Sequence, residues 1–118
     1  MSQQNQNNSD AERLVADYQL VQEQLRASAL QLEQLQSQKT ELERAKEEVS
    51  GASGKVYITV GGVIVETDKA KALEDIGSRM ELTQVRIGSV TKQYNDMKAK
   101  EKLLGDKLTQ LLGSKGPG

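Results

Sequence analysis

The chain is rich in carboxylates and amines, so the first question is whether any of them is spaced for catalysis. Glu41, Glu47 and Glu48 supply too few ligands for a cation site, and on a helix such charges solvate a face or pair across turns. There is no His and no Cys, which removes the usual general base, the thiol nucleophile and most zinc ligands. Gly61-Gly62 lacks the Lys-Ser/Thr that follows the glycines of a phosphate loop. Lys69 and Lys71 are too few for a nucleic-acid stripe and have no aromatic neighbours. No enzyme, cofactor or metal is implied. What remains is the chemistry of association, carried by apolar surface.

That surface is densest in Lys55-Val-Tyr-Ile-Thr-Val-Gly-Gly-Val-Ile-Val-Glu-Thr-Asp68. Two runs rich in β-branched residues flank Gly61-Gly62, the signature of a hairpin whose two-residue turn needs positive φ. With the turn there, Val60 faces Val63, Ile58 faces Val65 and Val56 faces Thr67. Alternation puts Val56, Ile58, Val60, Val63 and Val65 on one side. Tyr57, Thr59, Ile64 and Glu66 make the other side half polar. An isolated hairpin is marginal in water, so something must cover the valine side.

Composition limits what that cover is. Of 118 residues, 36% are hydrophobic and 3% aromatic, with no Phe or Trp, whereas 28% are charged. This is lean for a compact core and suited to long solvated helices in one domain. A net charge of −1 gives no overall attraction to nucleic acid or to an anionic membrane. No apolar run approaches the roughly 20 residues that span a bilayer, and no signal-peptide core is evident. The lack of cysteine fits a cytoplasmic protein.

The elements around the hairpin follow from heptads. Residues 1–8 are polar and are expected to be disordered. Ser9 with Glu12 forms a capping box that starts a helix over 9–50. Leu14, Tyr18, Val21, Leu25, Ser28, Leu32, Leu35, Lys39, Leu42, Lys46 and Val49 alternate by four and three, a supercoil seam. The hairpin occupies 55–66. Thr67 or Asp68 caps a second helix over 68–112. Its seam is Leu73, Ile76, Met80, Thr83, Ile87, Val90, Tyr94, Met97, Glu101, Leu104, Leu108 and Leu111. Gly77, Gly88 and Gly105 interrupt that helix, each weakening it by up to ~1 kcal/mol relative to Ala. Residues 113–118 form a short flexible tail.

Two long helices about one hairpin make an antiparallel two-helix coiled coil, a mainly α fold. Pairing Val49 with Leu73 sets Leu14 near Leu108 and Ser28 near Tyr94. The coil buries one seam and leaves the valine side bare, so hairpins of other chains are expected to close over it in an intersubunit β-barrel. Val56, Ile58, Val60, Gly61, Gly62, Val63 and Val65 are the oligomerisation residues.

At this point the chain resembles β-class prefoldin subunits. The likeness rests on Val56-Tyr57, then Val60-Gly61-Gly62-Val63-Ile64-Val65-Glu66, then Asp68-Lys69, within heptads that cover nearly the whole chain. The family pattern V-Y-x-x-V-G-x-V-L-V is met except at Ile64, where Leu is common. One hairpin rather than two indicates the β class, and the short tail has an archaeal look. The resemblance implies a hexamer of two alpha and four beta prefoldin subunits. It also implies an ATP-independent holdase that captures unfolded client proteins at coiled-coil tips and passes them to a group II chaperonin.

A holdase needs adjustable apolar surface off the seam. Val15, Leu20, Leu103 and Leu112 fit that need. The seam residues Leu14, Tyr18, Leu104, Leu108 and Leu111 join them if the last turns fray. Scattered exposed Leu and Val are also ordinary surface, and Leu82 with Val85, likewise off the seam, either pack on a neighbouring subunit or are simply exposed. A structural coiled-coil adaptor that only oligomerises through its hairpin is the competing reading.

Overall fold

A computed structural model of the chain describes residues 2–113. Along it run α1 (Ser2–Ser50), β1 (Val56–Val60), β2 (Val63–Thr67) and α2 (Lys69–Gly113). Two long helices with one antiparallel two-stranded sheet between them are the fold class that the heptads and the Gly-Gly pair require.

The first helix departs from expectation at its start. Residues 2–8, expected to be disordered, are helical from Ser2. Nucleating a helix is costly, but extending one adds a hydrogen bond for each residue ordered. A helix held by its seam further along can therefore run back to Ser2. Ser9 and Glu12 then lie inside the helix and cap nothing. Beyond Gly113, the expected tail lies outside the described residues.

The other ends are closed locally. At the end of α1 the Gly51 amide donates to the Glu47 carbonyl and the Ala52 amide to the Val49 carbonyl, both at 3.1 Å. Of the two candidate caps for α2, Asp68 is the one used. Its Oδ1 accepts from the Lys71 amide at 2.7 Å, and its carbonyl takes the Ala72 amide at 3.0 Å. Thr67 is the last residue of β2.

The chain divides into two compact units, residues 32–89 and the two outer segments, of which 2–31 and 90–113 are described. In the outer-segment unit the core is Val21, Leu25 and Leu104, with Leu14, Tyr18, Tyr94 and Met97 packed on it. Burying side chains of this size stabilises by about 1.5–3 kcal/mol each. A Cβ added at Gly105 would lie 3.5 Å from Tyr18 Cε2, which is ordinary van der Waals contact. The pairing of Tyr18 with Gly105 is within one residue of the register expected from Leu14 and Leu108. Ser28 is buried on this seam.

In the unit of residues 32–89, Leu35, Val56, Ala72, Ile76 and Ile87 are buried together with Thr83. Val49 lines a recess with Ala72 and Ile76, while Leu42 lines a groove with Leu82 and Thr83. The helices here thus run antiparallel. One seam position differs from the heptad reading: Lys46 is exposed and Ala45 is turned partly inward. Ala45 and Ala72 both line the recess that also receives Ile58, and a lysine stem there would occupy that space. Among the described residues no fully buried side-chain polar atom is left without a hydrogen-bond partner.

Two substitutions test this account by urea or thermal unfolding followed through helical circular dichroism at fixed protein concentration. Asp68→Ala removes the cap of α2 and is expected to cost about 1 kcal/mol. Gly88→Ala is expected to stabilise by up to ~1 kcal/mol, because an added Cβ there would meet nothing within 4 Å.

Candidate functional site

The hairpin owes its form to its turn. Gly61 and Gly62 have φ of 55° and 83°, the pair of positive values that a type I′ turn needs and that suits the twist of the strands. The register follows: Val56 pairs with Thr67, Tyr57 with Glu66, Ile58 with Val65, Thr59 with Ile64 and Val60 with Val63. At the base, Lys55 Nζ lies 3.4 Å from Glu66 Oε1, an exposed ion pair of small energetic weight.

Exposure along the hairpin is graded. Val60, Val63 and Val65 on the valine side are open, Val63 at 62%. Val56 is only 8% exposed and Ile58 is half-buried, which corrects the expectation that the whole valine side is bare. The cause is local. Only five residues separate the end of α1 from the start of β1, and Ile58 lines a recess of about 240 Å³ with Leu42, Ala45, Val49, Ala72 and Ile76. The chain therefore shelters the base of its own hairpin and leaves the turn end uncovered.

The side read as half polar carries a feature that alternation understated. Ile64, at 72% exposed, is the most open large apolar residue among those described, and Tyr57 on the same side is also exposed. A large aliphatic residue on a face otherwise made of Thr, Tyr and Glu was the available signal.

The second surface belongs to the unit of residues 2–31 and 90–113. Val15, Leu20, Leu103 and Leu112 are exposed there, whereas Leu14, Tyr18, Leu108 and Leu111 are half-buried. Leu104 is 7% exposed and belongs to the core with Val21 and Leu25, so it is not an available contact. Its turn is held closed by packing rather than frayed. Leu30, exposed two residues after the buried Ser28, was missed; its place on the outermost stripe of the heptad was the signal. Leu82 and Val85 are exposed on α2 in the other unit.

These surfaces can hold apolar groups and little else. Among the described residues, no three or more Asp or Glu side chains gather where they could bind a metal ion. No helix among them is long and apolar enough to cross a membrane. Among the described residues Arg79 Nε pairs with Asp75 Oδ2 at 3.0 Å, with both side chains open to solvent.

Known proteins share this arrangement. The model of a family described as prefoldin subunit matches residues 12–115. Prefoldin subunit beta of Thermococcus onnurineus is 36% identical over 93 residues, covering 77% of this chain and 80% of the relative. That of Methanococcoides burtonii is 32% identical over 104 residues, covering 86% and 89%. The crystal structure of the prefoldin beta subunit from Thermococcus strain KS-1 matches with a TM-score of 0.78 at 26% identity, over 86% of this chain and 90% of that one. Because the match takes in both helices and the hairpin between them, the chain belongs to the prefoldin subunit family, a family of non-enzymatic chaperones that assemble from several prefoldin subunits.

Proposed function

We propose that this chain is a beta-type subunit of a cytoplasmic holdase that binds unfolded proteins without ATP and passes them to a group II chaperonin. Its hairpin joins those of other subunits in a hexamer of two alpha and four beta chains. Clients are held on Val15, Leu20, Leu103 and Leu112, with the half-buried Leu14, Tyr18, Leu108 and Leu111 recruited as the outer turns open.

The observation that carries the reading is the standing exposure of large aliphatic side chains in two separate places. On the hairpin they are contiguous, as an assembly surface must be. On the helices they are spaced among charged residues, which suits weak contacts made many times over. Each such group contributes about 1–2 kcal/mol when well covered, so a client needs several at once and is readily released.

The serine triple variant at Leu20, Leu103 and Leu112 is expected to assemble normally and to suppress aggregation of a chemically unfolded client several-fold less well, measured by light scattering on dilution. Undiminished suppression by the assembled variant removes these residues from the client surface. If the unmodified assembly also leaves scattering unchanged, the chain is a structural adaptor instead. Val63→Asp places a charge on the open valine side and is expected to abolish assembly while leaving the helical content of the chain intact. The mass of the complex in solution reads this directly.

A further inference from the structure

We propose that the assembly surface continues past the hairpin onto the helices, where a groove at Leu42 and Leu82 receives the Ile64 side of a second copy's hairpin. This rests on the reading above that hairpins join subunits, and it adds where on the helices the joint extends. The hairpin alone is small for that task. It has two strands of five residues each, and Val56 and the half-buried Ile58 are already engaged at the chain's own base. A stable interface takes roughly 20–30 residues from each partner, so surface next to the hairpin must take part.

That surface is present and unbroken. Ile58 shares a recess with Leu42, Ala45 and Arg79. The same three residues line a groove of about 460 Å³ with Leu82 and Thr83. Leu82 is 51% exposed, and Val85, three residues on and its neighbour on the surface of α2, is 68% exposed. An aliphatic path thus runs from the hairpin to Val85 within the unit of residues 32–89. The charges lining the two cavities cancel. Glu41 and Asp75 stand against Arg79 and Arg86, and Asp75 already holds Arg79 at 3.0 Å. Such a surface is matched by aliphatic contact and not by a charged partner.

The Ile64 side of the hairpin has that chemistry. Ile64 is 72% exposed and Tyr57 58%, while Glu66 on the same side is paired with Lys55. Packing of valine sides against one another leaves this side uncovered. Every copy carries both the groove and the Ile64 side, so the contact repeats head to tail and is able to close in a ring.

The chain has no cysteine, so introduced thiols report contacts without background. Full chains bearing Leu82→Cys are co-assembled with full chains bearing Ile64→Cys and mildly oxidised. A disulfide between the two variants, which needs Cα atoms within about 7 Å, is expected, and it is expected to vanish when both also carry Val63→Asp. Leu82→Asp with Val85→Asp is expected to weaken assembly about tenfold, read from complex mass on dilution, with helical content unchanged. Leu82→Cys chains that join one another but not Ile64→Cys chains overturn the assigned occupant, as does cross-linking of Leu82→Cys to a different kind of subunit alone. Unchanged assembly with weaker client suppression makes the groove a client surface and overturns the proposal. Unchanged assembly and suppression show plain exposed surface and overturn it as well. If no complex forms around the unaltered chain, with or without a second kind of subunit, the hairpin reading fails with it.

Discussion

The constraint on which the structure depends is a mismatch of surfaces. Each helix has one apolar stripe, and within each unit that stripe is used against the other helix. The hairpin has aliphatic residues on both of its sides, and only its base finds cover from the helix ends. Val60, Val63, Ile64 and Val65 are left in solvent because no third layer exists to receive them. The described residues supply no such layer, and the proposed assembly with other subunits would provide it.

Much of this was legible because the strongest signals were backbone signals. Gly61-Gly62 between β-branched runs admits one tight turn, and that turn sets the pairing of every residue from Val56 to Thr67. The seam of α2 was readable from Leu73 to Leu111 since each expected residue there is at least half-buried. The cap of α2 was readable as Thr67 or Asp68, since a short polar side chain just before an alternating run favours that use, and the structure uses Asp68. The extra helix at residues 2–8 was not legible, because composition reports the cost of starting a helix and not the ease of lengthening one.

Side-chain placement was harder. Ala45 is turned partly inward and lines one recess with Ile58 while Lys46 stays exposed, a juxtaposition that no periodic pattern in α1 contains. Leu104 was grouped with residues freed by fraying, yet the closeness of Val21 and Leu25 keeps it shut. Ile64 and Leu30 were passed over because a single apolar residue on a polar stripe reads as noise until its exposure is known. In each case the missing information is a contact between segments distant in sequence.

The uncovered end of the hairpin bears on how such a subunit must be supplied. Before it meets its partners, each newly made copy displays an aliphatic strand pair with unsatisfied edges, the same kind of surface by which misfolded proteins clump. A surplus of this chain over its companions would accumulate as orphans prone to coalesce or to be degraded. On the proposed assembly, balanced synthesis of the different subunits is a requirement set by the exposure of Val60, Val63 and Ile64.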